Sequence, residues 1–136
     1  MSRRFHETKA EGDLTEQLLD SFLISQHGPL TKMKDCFVVD REGDSCWVEI
    51  KGRSLQYRSD DKYSEQGWYI GQPKINFAKA STKPVYFYYY FHSDKTLWRL
   101  QYSDAVFDTL VPKKNRQGQL TYTVPKRFWT CVEFQN

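Results

Sequence analysis

With 136 residues, 39% hydrophobic and 27% charged, the chain is long enough to bury its own core, and its balance excludes disordered and fibrous classes. Twenty Lys and Arg against seventeen Asp and Glu leave a net charge of +3, too mild by itself to demand a polyanionic partner. No apolar run approaches the roughly 18 residues of a membrane-crossing helix.

The polar start MSRRFHETKAEGD carries no secretory signal, so the expected location is intracellular: cytoplasmic, or nuclear in a eukaryotic or viral setting. Residues 1–12 read as a flexible N-terminus, followed by a single domain over 13–136. The three cysteines, Cys36, Cys46 and Cys131, have no CxxC spacing, which argues against a disulfide framework and a zinc site. His6, His27 and His92 follow no ligand spacing either.

Asp13 is a good N-cap for a helix whose apolar stripe is Leu14, Leu18, Leu19, Phe22 and Leu23, and Gly28-Pro29 ends it. Two strand-like runs follow, 35–40 (DCFVVD) and 44–51 (DSCWVEIK), flanking Arg41-Glu42-Gly43. A three-residue hairpin loop favours Gly in its last position, so the spacing predicts a turn over 41–43, with Asp40 opposite Asp44 and Asp35 opposite Glu49. Alternation then sets Asp35, Phe37, Val39, Trp47, Glu49 and Lys51 on one face, and Cys36, Val38, Cys46, Val48 and Ile50 on the other. The second face is wholly apolar. The first carries charge only where Asp35, Glu49 and Lys51 gather, which is the kind of local inconsistency that marks functional sites. Asp40 and Asp44 read as turn residues.

Residues 52–71 form an irregular polar segment with embedded aromatics, and Pro73 opens a short helix through Lys79. The run Val85–Phe91 (VYFYYYF) suits a central strand buried on both faces. Further strands are expected at Leu97–Tyr102 and Leu120–Val124, with a short helix or turn over Asp104–Leu110 between them. The order implies an α/β fold, a mixed central β-sheet flanked by helices. Aromatic residues, 16% of the chain, favour such a sheet. The run Lys113–Arg116 (KKNR), with Lys126 and Arg127, makes the last third basic.

Two carboxylates facing each other across a hairpin have Cβ atoms only about 5 Å apart, and they repel unless a cation lies between them. Mg²⁺ takes a few carboxylate oxygens and completes its shell with water and phosphate. A Lys two residues beyond the second carboxylate is placed to act on an attacking water and to offset phosphate charge.

Asp35, then a strand and turn, then Glu49-Ile50-Lys51, resembles the PD-(D/E)xK, or restriction-endonuclease-like, nuclease superfamily. The overall plan over residues 13–102 is most similar to the archaeal-type Holliday junction resolvases. The resemblance implies a metal-dependent endonuclease acting on DNA, with branched or junction DNA among the candidate substrates. It further implies Mg²⁺ or Mn²⁺ as cofactor, ends carrying 5′-phosphate and 3′-hydroxyl, and action as a homodimer or as a subunit of a larger assembly. By the same resemblance Asp35, Glu49, the Ile50 carbonyl and Glu16 bind the metal, and Lys51 acts on the water. Lys34 stands where the family often has Pro, and Gln66 and Gln72 are loose matches to a later helix position.

Glu16 also fits a capping box with Asp13. Arg53, Lys74 and Lys79 are candidate phosphate contacts, with a solvated surface as their alternative. Tyr57, Trp68 and Tyr69, aromatics in a polar segment, are candidates for the substrate path, while Tyr86–Tyr90 reads as core. Three other readings stand beside the DNA nuclease: a catalytically silent nuclease-fold protein that binds nucleic acid or acts as a scaffold, an RNA-directed nuclease, and a protein–protein module. No membrane partner is expected.

Overall fold

The computed structural model describes residues 17, 19–34, 37–53, 57–60 and 67–133. Asp35 and Glu16, two of the expected metal ligands, lie outside them, as does Asp13. Helix α1, described over residues 19–27, buries Leu19 and Leu23 completely. It stops where expected, with the Gly28 amide donating to the Ile24 carbonyl at 2.9 Å. After it come β1 (Leu30–Lys32), β2 (Arg41–Gly43), β3 (Trp47–Arg53), β4 (Trp68–Gly71) and α2 (Gln72–Ala80). Next are β5 (Val85–Phe91), β6 (Thr96–Gln101), α3 (Asp104–Phe107), β7 (Lys113–Lys114), β8 (Leu120–Val124), a 3₁₀ turn (Lys126–Phe128) and β9 (Thr130–Val132).

The architecture is α/β. A six-stranded mixed sheet runs in the order β1-β2-β3-β5-β6-β9, and a three-stranded antiparallel sheet runs β4-β8-β7. In the larger sheet β3 and β5 are parallel, with Glu49 beside Phe87, Lys51 beside Tyr89 and Arg53 beside Phe91. Parallel neighbours need a crossover, and β4 followed at once by α2 supplies it. Pro73 sits in the first turn of α2, as anticipated, where its missing N–H costs nothing.

The aromatic run of β5 divides by alternation between two cores. Val85, Phe87, Tyr89 and Phe91 pack with Trp68, Ile75, Ala78 and Trp129 on the side of α2 and the small sheet. Tyr88 and Tyr90 pack with Leu19, Leu23, Cys46 and Val48 on the side of α1. A strand covered on both faces reads as continuously apolar for this reason. No helix among the described residues is long and apolar enough to cross a membrane.

The expected hairpin is displaced. Residues 41–43 form the strand β2 rather than a loop, and the chain reverses at the exposed Asp44-Ser45, with the Gly43 amide donating to the Cys46 carbonyl at 2.8 Å. Arg41 pairs with Val48 and Glu42 with Trp47, a register that carries Asp40, not Asp35, opposite Glu49. Tertiary contacts decide this. Arg41 is buried and its Nη1 lies 2.6 Å from Asp20 Oδ1 of α1, while β1 needs 41–43 as its partner strand. Gly43 does not take a left-handed φ; a Cβ there would meet Leu30 Cδ2 at 2.9 Å, so a small residue suits the position. The polar segment 52–71 also departs from expectation, because Trp68–Gly71 is a strand paired with β8.

Gly67, immediately before β4, has φ +100°, and a Cβ would fall 1.8 Å from the Val124 carbonyl oxygen. Gly118 has φ +79° but open space around it. Gly67→Ala is therefore expected to lower stability in urea unfolding by more than about 3 kcal/mol, and Gly118→Ala by only about 1–2 kcal/mol. Equal costs would show that the close approach of β4 to Val124 is not fixed.

Candidate active site

Alternation along β3 sends Trp47, Glu49, Lys51 and Arg53 to the α2 side of the sheet, where Trp47 joins the core and the three charged residues follow it towards the strand's C-terminal end. Phe37 stacks on Trp47 at 5.6 Å between centroids, and Trp47 meets Phe77 of α2 edge-on at 4.9 Å. This aromatic cluster holds the bend 37–40 against β3 and so presents Asp40 to Glu49.

Asp40 and Glu49 are tied by reciprocal backbone contacts. The Asp40 amide donates to Glu49 Oε1 at 3.1 Å, and the Ile50 amide donates to Asp40 Oδ2 at 2.8 Å. From the first turn of α2, Lys74 Nζ donates to the Val38 carbonyl at 3.0 Å and to Glu49 Oε2. The Glu49 side chain is only 12% exposed. Burial pushes its pKa up to about 7, repulsion from Asp40 adds to the rise, and Lys74 opposes it.

A second group of cations gathers on Tyr69 of β4. Lys51 Nζ donates to its hydroxyl at 3.1 Å and stands 4.5 Å from the ring centroid, and Arg53 Nη1 donates to the same hydroxyl at 3.3 Å. Burial acts to raise the Tyr69 pKa, but the hydrogen bonds and charges of Lys51 and Arg53 outweigh it and bring it below the usual value. The Arg53 guanidinium also lies 4.1 Å from the ring centroid of exposed Tyr57. Ser93 Oγ donates to the Tyr57 carbonyl at 2.5 Å and steadies that ring's backbone. A cleft of about 50 Å³ lies among Glu49, Lys51, Tyr69, Lys74, Phe87 and Tyr89.

The structure thus brings together Glu49, Ile50, Lys51, Arg53, Tyr57 and Lys74 from the expected set. Asp35 and Glu16 fall outside the described residues. Lys79 does not join: it is exposed on the last turn of α2, about 140° around the helix from Lys74. Trp68, expected on the substrate path, is a core residue at 8% exposure, packed on Tyr89, Phe91, Trp98 and Trp129. A buried indole with four aromatic neighbours has no free face for a base.

The sequence reading missed Asp40 as a site residue because it was assigned to the turn. A turn at Asp44-Ser45, two good turn formers, would have paired it with Glu49. Among the described residues no group of three or more His, Cys, Asp or Glu side chains is arranged to hold a metal. Compared with protein-family models, with curated proteins and with solved structures, the chain matches none of them.

The raised pKa of Glu49 has a thermodynamic consequence. Because the folded state holds this proton more tightly than the unfolded state does, the contribution is favourable at low pH and is lost as pH rises from about 4.5 to about 7. In metal-free buffer, stability is expected to fall over that interval by on the order of 3 kcal/mol from this group. Glu49→Gln should flatten that part of the curve, as read by urea midpoints at successive pH values. An unchanged pH profile in the variant would show that Glu49 titrates normally.

Proposed function

We propose that this chain is a divalent-metal-dependent nuclease of the restriction-endonuclease-like kind, acting on the phosphodiester backbone of nucleic acid, DNA in preference to RNA. The observation that carries the reading is the apposition of Asp40 and Glu49 across the β2–β3 register, with Lys51 two residues on and on the same side of the sheet. The order of helix, hairpin, helix and hydrophobic strand supports it, since it is the plan the resemblance implies.

The donor chemistry fits a hard cation. Glu49 Oε2 and the Val38 carbonyl converge on one positive charge already, the Lys74 ammonium, and the carboxylates of Asp40 and Glu49 add oxygen donors only. In this reading Asp40 and Glu49 hold Mg²⁺ or Mn²⁺, with the Ile50 carbonyl as the implied backbone ligand. When bound, the cation would polarise the phosphoryl group and offset the charge that develops during in-line displacement. Lys51 orients the attacking water, and the Tyr69 hydroxyl keeps its ammonium on the cleft side of β4. Arg53 and Lys74 offset phosphate charge, and Tyr57 offers an exposed ring for an unpaired base.

A second reading is favoured by one feature: Lys74 already neutralises Glu49, as it would in a catalytically silent protein that binds nucleic acid through Lys51, Arg53 and Tyr57. Cleavage decides between them. Supercoiled plasmid, linear duplex, four-way junction and single-stranded RNA would be incubated with Mg²⁺ or EDTA, using wild type, Asp40→Asn, Glu49→Gln and Lys51→Ala. The expected result is metal-dependent cutting that falls at least 100-fold in each variant, since each removes transition-state stabilisation of about 2.7 kcal/mol or more. Salt-sensitive binding of nucleic acid without cutting, equal in wild type and Glu49→Gln, would replace the enzyme with the binding module.

A further inference from the structure

Past the end of α1, and sharing no residue with the carboxylate pair, the chain builds a second cleft of about 450 Å³, within the size range of small-molecule sites. His27, Tyr86 and Arg99 line it from the α1 side of the large sheet, and Leu100, Val106 and Phe128 from the other core. Helix α1 ends at residue 27, and past its end the side chains of β5, β6 and β9 form the sheet face among the described residues. Cross-strand register stacks Tyr86 beside Gln101 and Tyr88 beside Arg99, and Arg99 beside Thr130. His27 closes the cleft from the helix end, its Nε2 2.6 Å from the Tyr88 hydroxyl and its ring 4.7 Å from that of Tyr86.

Arg99 makes this cleft more than a gap in packing. It is partly buried, and its neighbour along the same face of β6, Leu97, is a fully buried core residue. Among the described residues no carboxylate pairs with Arg99, and its charge instead bears on His27 and Tyr88. Burial first, and the Arg99 charge second, lower the His27 pKa, which favours the neutral imidazole at pH 7 and leaves Arg99 as the cleft's cation. A partly desolvated guanidinium without a carboxylate is a fork of donors suited to a phosphate. Tyr86 and Phe128, both lining the cleft, supply apolar ring surface next to it.

We propose that this cleft binds a nucleoside monophosphate, with the phosphate on Arg99 and the base against Tyr86 and Phe128, while His27 and Tyr88 supply polar contacts. The proposal does not rest on the nuclease reading, because none of these residues belongs to the Asp40–Glu49 site.

The test is isothermal titration of the full chain with 2′-deoxyadenosine 5′-monophosphate, 2′-deoxyadenosine and inorganic phosphate at pH 7. The monophosphate should bind saturably, and at least about tenfold more tightly than either fragment. Arg99→Gln should weaken it by about tenfold or more, the loss expected for one charge-assisted contact, and Arg99→Lys by less. Glu49→Gln should leave the affinity unchanged. Thermal melts of each variant confirm folding, and in the folded wild type the His27 imidazole resonances should shift on titration. No saturable binding by folded wild type, or binding that Arg99→Gln leaves intact or Glu49→Gln abolishes, would overturn the proposal.

Discussion

The parallel pairing of β3 with β5 is the constraint from which the arrangement of the site follows. Two parallel neighbours cannot be joined by a tight turn, so the chain must leave the sheet after Arg53 and return to start Val85 beside Trp47. It spends that excursion on β4 and α2, and β4 runs into the helix with no intervening loop. The first turn of α2 is therefore delivered to the face of β3 that carries Glu49, where Lys74 reaches it. Tyr69, one strand earlier, reaches Lys51 and Arg53 by the same geometry. The register also requires β5 to be buried on both sides, which its aromatic run satisfies by dividing its rings between two cores.

Within that frame the charges are sorted into two groups. The carboxylates of Asp40 and Glu49 are held together by backbone amides, so their repulsion is only partly offset, by Lys74. The remainder is expressed, together with burial, in the raised pKa of Glu49. Lys51 and Arg53 could have neutralised the pair but are turned to the Tyr69 hydroxyl, leaving Lys74 as the cation on Glu49. Three cations beside two carboxylates give the cleft a local positive excess that the net charge of the whole chain barely hints at. Such an excess favours a polyanion at short range.

Elements whose form follows from local chemistry were legible in the sequence. The stop of α1 at Gly28, the start of α2 at Pro73 and the burial of Val85–Phe91 all come from spacing and residue type alone. Glu49 and Lys51 were legible as well, because a strand's alternation fixes which residues share a face whatever its partner. The hairpin was misread because Gly43 signals a turn locally, whereas in the fold it is a strand residue packed close to Leu30, and the strand around it is set by the ion pair between buried Arg41 and half-exposed Asp20. Trp68 was misread for a related reason. Its partners, Tyr89, Phe91, Trp98 and Trp129, lie 21 to 61 positions away, so nothing in the polar stretch before it signals a core.

Lys74 links the two readings of the site. A carboxylate desolvated as Glu49 is can be satisfied by a proton, by an ammonium or by a metal ion, and each excludes the others at Oε2. The ammonium is the occupant seen, and it is held by the Val38 carbonyl as well, so it marks a point where oxygen donors converge. Lys74 remains 34% exposed, and its flexible stem leaves it free to turn towards solvent or a phosphate without unfolding anything. In the proposed nuclease the same side chain would then serve twice: as a counter-ion that keeps the carboxylate pair tolerable before the cation arrives, and as a phosphate contact afterwards. In a silent binding protein only the first role would be left, and the pair would have no reason to give it up.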